Sequence, residues 1–221
     1  MKLRHRPFPS SLLGRTRSRR HQSPPRRTPE PMDTVRDEAP ALTLTEPIVA
    51  WRTWTLAGSR DASTVRLRPI AGDGKPWPPR RPASAACTKD RHHAVPDLRC
   101  TCGLHAVAEA GSLRRTRDPA VLGTVALWGS LVEHDRGYRA TFGYPQRVRL
   151  VCYLCFSLWA IHAPGDVEVV IRHRGGRMVP LCGPHVELSR RYAYPMPTVL
   201  PAGAVTSALL STYAVDLLPR P

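Results

Sequence analysis

Four residues near the C-terminus have the types and the spacing of a metal site. Cys152 and Cys155 form a Cys-x-x-Cys pair, and Cys182 and His185 form a Cys-x-x-His pair after 26 intervening residues. Two such pairs, separated by a length that accommodates a hairpin, are typical of a closed tetrahedral zinc site. Three thiolates and one imidazole fill all four positions, so none is left for a catalytic water. The spacing therefore predicts a structural zinc ion.

A second group of metal-ligand residues lies upstream. It comprises three cysteines, Cys87, Cys100 and Cys102, and one histidine, for which His93 is preferred and His92 and His105 are alternates. Three thiolates and an imidazole would complete another closed tetrahedron, which predicts a second zinc ion. Because Cys-x-Cys is an uncommon ligand spacing and free cysteines are often simply buried, an unmetallated cluster is the alternative.

The residues around the C-terminal pairs predict how the ligands are held. Residues 148–151 read as a strand leading into Cys152, and residues 167–173 and 178–181 read as a hairpin around a two-glycine turn. A helix follows through residue 191, with Pro184 in its first turn, where the missing N–H has no cost. Knuckle, hairpin and helix over residues 148–193 resemble a treble-clef zinc finger.

The preceding hundred residues are rich in strand patterns. Residues 48–56 and 64–68 carry β-branched and aromatic side chains and predict a strand pair, followed by a Gly/Pro loop at 72–79. Residues 121–132 and 138–144 predict a hairpin, with a polar turn between them. Glycines inside these strands indicate bulges or tight bends.

The fold class that follows is α+β and β-rich. It combines a small curled antiparallel sheet or barrel, a treble-clef-like zinc finger and a short C-terminal helix. The predicted boundaries are a basic disordered arm (1–40), a β-rich domain with a zinc site (48–147), the finger (148–193) and a tail with a closing helix (194–221). Trp77, in the loop before the first cysteine, is expected to be a packing anchor.

Charge is concentrated at the start of the chain. The net charge is +16, and residues 1–31 contain nine Lys/Arg against one acid. Such a segment predicts disorder, and it reads as a nucleic-acid-binding tail, an organelle transit peptide or an over-extended gene start. We favour the last, with Met32 as the true start.

Clustered cysteines, without a signal peptide or an apolar run long enough to cross a membrane, predict a reducing cytoplasm.

Two runs of residues carry a resemblance to a protein group. The first is His93-x-x-Pro96-x-x-x-Cys100-x-Cys102-Gly, preceded by Cys87, and the second is Gly123-x-Val-x-Leu-Trp-Gly-x-x-x-Glu133-His-x-x-Gly-Tyr-Arg-Ala140. Together they resemble a group of uncharacterised actinobacterial proteins over residues 48–150. The chain departs from that pattern at His105, where the group has an aromatic residue, which argues against His105 as a ligand. The resemblance implies a bacterial cytoplasm and the Met32 start, and it implies no activity.

No arrangement of residues predicts catalysis. Glu133, His134 and Asp135 are adjacent in a turn, so their side chains diverge and are expected to be solvated. The chain is therefore predicted not to be an enzyme and to have no small-molecule substrate. The leading function is a metal-stabilised module that binds a protein or other macromolecular partner or serves as a scaffold. The alternative is nucleic-acid binding through five arginines on the finger: Arg172, Arg174, Arg177, Arg190 and Arg191.

Overall fold

The computed structural model describes residues 42–71, 74–90, 92–157 and 165–220. In chain order its elements are β1 (Leu42–Gly58), β2 (Val65–Arg68), β3 (Ala83–Ser84), β4 (Leu104–Val107), a 3₁₀ helix (Ala110–Arg115), β5 (Val121–His134), β6 (Gly137–Leu150), α1 (Tyr153–Ser157), β7 (Val167–Arg172), β8 (Arg177–Cys182), α2 (Gly183–Arg191), β9 (Val199–Pro201), α3 (Ala202–Tyr213) and β10 (Asp216–Leu217). The predicted arm and the predicted start at Met32 lie outside the described residues.

Four strands close a ring. β5 and β6 form a long antiparallel hairpin, and β1 lies antiparallel to β5 on its other side. β4 pairs with β6 and also with β1, through Val107 and Trp51. Each of the four strands therefore has a neighbour on both sides, and the sheet is closed. The described residues are therefore β-rich, with few helices and a ring-like sheet, as the sequence predicted.

Glycines allow the long hairpin to bend as it closes the ring. The β5–β6 register shifts between Thr124 and Val125 and again between Trp128 and Leu131. Gly129 lies in the second shift with φ of +81°, a left-handed conformation that favours glycine. The irregularity expected from glycines in these strands is confirmed there.

A second sheet continues from the end of β1. The last residues of β1 pair with β2 and with β8, β8 forms a hairpin with β7, and β9 pairs with β7. β1 is thus shared between the ring and the sheet that carries the C-terminal ligands. The predicted β1–β2 pair and the hairpin formed by β7 and β8 are confirmed.

The interior is filled around two tryptophans and the last helix. The rings of Trp54 and Trp77 meet edge to face at 5.5 Å, and both side chains are buried. Tyr213 of α3 donates its hydroxyl hydrogen to the carbonyl of Trp77 at 2.9 Å and accepts the N–H of Leu67 at 3.0 Å. The closing helix and the anchoring role of Trp77 are confirmed.

Some boundaries differ from the prediction. β5 extends through His134, so Glu133 and His134 lie in a strand and only Asp135 and Arg136 form the turn. β6 is one strand from Gly137 to Leu150, where the sequence suggested two, because Pro145 is accommodated next to a register shift. The patterns of the short strands β3, β4 and β10 were too brief to be recognised.

The described residues belong to one unit, Pro40–Pro221. The finer division at residues 147/148 and 193/194 stays a prediction. Among the described helices, none combines the length and the apolar character needed to cross a membrane.

Candidate metal centres

The C-terminal quartet is brought together by β6, α1, β8 and α2. Cys152 follows β6, Cys155 lies in α1, Cys182 ends β8 and His185 lies in the first turn of α2. Their ligand atoms all lie within 4.8 Å of one another. Nδ1 of His185 is 3.2 Å from Sγ of Cys182 and 3.4 Å from Sγ of both other cysteines. We call this group the finger centre.

These separations fit a metal ion better than a disulfide bond. Sγ of Cys155 is 3.6 Å from Sγ of Cys182, whereas a disulfide bond is about 2.05 Å long. Metal–ligand bonds of about 2.3 Å to sulfur and 2.0–2.1 Å to nitrogen give tetrahedral edges of about 3.8 Å and 3.6 Å. All six cysteines are free thiols. The finger centre could therefore hold a metal ion.

Packing holds the finger centre in place. Cys152 and Cys182 are buried with Ile171, Leu181 and Val186, so the second sheet and α2 form a small core under the ligands. Gly165 lies close above them: a Cβ at Gly165 would lie 3.0 Å from Cβ of Cys182 and 3.2 Å from its sulfur. No spacing in the sequence marks this close approach.

Burial opposes ionisation of the finger thiols when no cation is present. Desolvation raises the pKa of Cys152 to about 12 and also raises the pKa of Cys182. Backbone N–H groups, including that of His185 at Cys182, favour the thiolates but do not overcome burial. A bound cation would supply the missing stabilisation of the negative charge.

The upstream cysteines converge in the same way. Ligand atoms of Cys87, His93, Cys100 and Cys102 also lie within 4.8 Å of one another, and Sγ of Cys87 is 3.7 Å from Sγ of Cys100. This loop centre lies in the connection between β3 and β4. It too could hold a metal ion.

The two alternate histidines of the sequence lie outside the loop centre. His92 is exposed, and its backbone N–H donates to the carboxylate of Asp90 at 2.9 Å. His105 is exposed in β4, with Nε2 2.8 Å from the carbonyl oxygen of Thr101. Of the three candidate histidines, the structure places His93 against the thiols.

Hydrogen bonds orient two ligands of the loop centre. Nδ1 of His93 lies 2.7 Å from the carbonyl of Ala94, which leaves the buried Nε2 for the metal. That carbonyl raises the pKa of His93 to about 9. The N–H of Asp90, 3.3 Å from the sulfur, lowers the pKa of Cys87 to about 7.

Arg139 of β6 holds the loop that carries two ligands. Its Nη1 donates to the carbonyls of Asp97, at 3.1 Å, of Cys102, at 3.0 Å, and of Cys100. The sequence analysis placed Arg139 after the polar turn and missed this role. The only signal was its position in the Gly-Tyr-Arg-Ala run of the resemblance.

Arg52 of β1 was also missed, because nothing in its strand pattern marks a half-buried charge whose Nε is enclosed. Its guanidinium carbon lies 5.2 Å from the ring centre of Trp77 and 6.0 Å from that of Trp54, and Nη1 donates to the carbonyl of His105. Burial lowers the pKa of Arg52 to about 10. Cation–π contacts compensate part of this desolvation, which is a packing role.

The five arginines proposed for nucleic acid are not equivalent. Three make contacts within the chain: Arg172 donates to the carbonyl of Gly58 at 2.8 Å, Arg177 pairs with Asp118 at 3.2 Å and Arg190 pairs with Glu187 at 2.6 Å. The other two, Arg174 and Arg191, are exposed and form no ion pair with the described residues.

Comparison with known proteins identifies no relative, so a function can be argued only from the geometry of the two centres. No protein-family model, no curated protein and no solved structure matches the chain.

Proposed function

We propose that the chain is a zinc-stabilised module that binds a macromolecular partner or serves as a scaffold. One observation carries the proposal: in each of two separate groups, three cysteines and one histidine lie close enough together to bind one ion. Four ligands from the protein saturate a tetrahedral ion, which supports a structural role and a protein that is not an enzyme.

Zinc is the metal that these ligands fit best. Thiolate and imidazole ligands in a tetrahedral arrangement suit zinc, which has no redox chemistry of its own. Six unpaired cysteines support a reducing location, for which we propose the cytoplasm. Membership of the actinobacterial group stays a prediction that rests on the sequence runs alone.

The local arrangement at the finger centre supports a treble-clef-like finger. Cys152 and Cys155 lie where β6 passes into α1, the β7–β8 hairpin follows, and α2 begins with the second ligand pair. In such a finger, the metal joins the hairpin to the helix, because the small hydrophobic core between them would not hold them together without it.

Counting bound metal tests the proposal. Native mass spectrometry against the denatured mass should show two zinc ions per chain. Cys182→Ser and Cys100→Ser should each retain one, because each removes one ligand from one centre, while Ser207→Ala, in α3, should retain two. A purified chain without zinc, or a Cys182→Ser variant with the same zinc content as the parent, would contradict the proposal.

A further inference from the structure

Exposed apolar and aromatic side chains concentrate in one short segment of the chain. Of the eight large hydrophobic side chains that are exposed in the described part, four fall between residues 188 and 199: Leu188, Tyr192, Tyr194 and Val199. Tyr192 is 73% exposed and Tyr194 is 48% exposed. Because contiguous exposed apolar surface marks interaction sites, this segment is the candidate to consider.

The two tyrosines are presented by a fixed turn. The N–H of Tyr192 donates to the carbonyl of Leu188 at 3.1 Å, and the N–H of Tyr194 donates to the carbonyl of Ser189 at 2.8 Å. Ala193 between them has φ of +50°. The ring of Tyr194 also meets the ring of His173 edge-on at 5.8 Å. The tyrosine backbone is therefore positioned before any partner binds.

A cavity adjoins this turn. It measures about 590 Å³ and is lined by His173, Arg174, Gly175, Pro195, Met196 and Pro197. Ligand cavities in proteins typically measure about 300–1,000 Å³, so this one has room for a planar base. The β7–β8 turn forms one wall and the segment after α2 forms the other. We call the cavity and the two tyrosines the tyrosine surface.

The charge that remains free at the tyrosine surface is positive. Arg174 lines the cavity and Arg191 immediately precedes Tyr192. Nearby, Glu187 is ion-paired with Arg190, and the carboxylate of Glu168 lies against Gly183 at the start of α2. Arg174 and Arg191 thus form no ion pair with the described residues, and the residues that line the cavity include no carboxylate.

We propose that the tyrosine surface binds single-stranded nucleic acid. Bases stack on Tyr192 and Tyr194, and Arg174 and Arg191 pair with phosphates. This inference rests on the proposed function only in that the finger centre holds the β7–β8 turn and α2 in place. It replaces the wider arginine face suggested by the sequence, because three of those five arginines are already engaged.

The same features argue against other partners. A duplex keeps its bases stacked on one another, so exposed tyrosines would gain nothing from it. An acidic protein segment would satisfy the two arginines but would leave the stacking faces without planar partners. Exposed aromatic rings and unpaired arginines on one surface supply both the stacking faces and the phosphate contacts that a single strand requires.

Anisotropy titrations of the full chain with fluorescein-labelled dT12 and U12 test the proposal. Tyr192→Ala and Tyr194→Ala should each weaken binding about 5- to 150-fold, the range expected when one stacked base is lost. Tyr192→Trp should bind as tightly as the parent, because tryptophan keeps a stacking face. Arg174→Gln with Arg191→Gln should reduce the salt slope by about 1.4, or about 0.7 for each phosphate contact. Arg60→Gln, at an exposed arginine elsewhere in the chain, is the matched control for the arginine pair and should leave the salt slope unchanged.

The basic residues 1–31 remain in every variant, so differences between variants report on the tyrosine surface. Equal affinity of the parent and both alanine variants would overturn the proposal. So would equal affinity for a duplex of twelve base pairs. Displacement of labelled dT12 by a twelve-residue polyglutamate peptide, at the same concentration at which unlabelled dT12 displaces it, would also overturn the proposal. Zinc content is measured for each variant, and two ions in a variant that no longer binds dT12 would leave the proposed function intact.

Discussion

At the scale of single residues, hydrogen bonds constrain the ligands of the loop centre before a metal binds. The Ala94 carbonyl turns His93 so that Nε2 faces the thiols, and the N–H of Asp90 favours the thiolate of Cys87. Arg139 fixes the carbonyls beside Cys100 and Cys102. Such contacts lower the entropy lost on coordination, which is why residues outside the coordination shell commonly affect metal affinity.

Tyr213 shows the same principle in the core, and its hydroxyl can be tested directly. Tyr213→Phe should lower the free energy of unfolding by about 1–3 kcal/mol, because the Leu67 N–H and the Trp77 carbonyl both lose a buried partner. Urea unfolding followed by circular dichroism measures the change. Burial raises the pKa of Tyr213 to about 12, so this stabilisation is complete below pH 10 and declines as pH rises through 12.

The exposed Tyr192 offers the matched control for that substitution. Tyr192→Phe removes a hydroxyl from a side chain that is 73% exposed, so the stability should stay within about 0.5 kcal/mol of the parent. If both substitutions had the same effect on unfolding, the bridging role of Tyr213 would be excluded.

At the scale of elements, the sequence was informative wherever a pattern was long or paired. The strand pattern of residues 121–132 and the Cys-x-x-Cys pair each predict a local structure, and both structures are present. The sequence allowed a barrel but did not identify the strand that closes it, since β4 has only four residues and meets β1 through the single pair Trp51–Val107. Side-chain roles such as that of Arg139 depend on that closure, so they were missed for the same reason.

Ring closure depends on a close approach at Gly137. This residue has φ of +153°, and a Cβ there would lie 2.2 Å from the carbonyl oxygen of Ala106 in β4. Gly137→Ala should therefore push β4 from β6 and cost about 1–3 kcal/mol of unfolding free energy, the range for overpacking. Hydrogen exchange should show faster exchange in β4 than in α3.

Gly175 is the control for that prediction, since nothing lies within 4 Å of a Cβ at this position. Gly175→Ala should leave unfolding and hydrogen exchange in β4 unchanged. Parent-like stability of Gly137→Ala would show that β4 tolerates displacement and that the closure is not tight.

At the scale of the whole molecule, the two centres fasten different parts of the chain to the same strands. The loop centre lies in the β3–β4 connection and is held by Arg139 of β6, while the finger centre begins where β6 ends. β1 runs through both sheets and connects them. Metal loss at either centre should therefore loosen its own segment first and the shared strands afterwards.

This arrangement makes stability depend on pH through metal occupancy. Burial raises the pKa values of Cys152 and Cys182, so at neutral pH the metal-free thiols hold their protons, and zinc must displace them. Three thiols at the finger centre, and three thiols with the imidazole of His93 at the loop centre, take up protons in competition with zinc, so zinc affinity should fall by as much as about 1,000-fold per pH unit at the finger centre and about 10,000-fold at the loop centre. The direction is fixed: stability from bound zinc is present at high pH and is lost as pH falls.

Ultrafiltration at pH 8 and pH 5, with zinc measured in the filtrate, should show release at pH 5 together with a lower melting temperature. Cys182→Ser, which retains only the loop centre, isolates the release curve of that centre. Equal occupancy at both pH values would show that the ligands do not exchange metal for protons and that the centres do not have the thiolate coordination proposed for them.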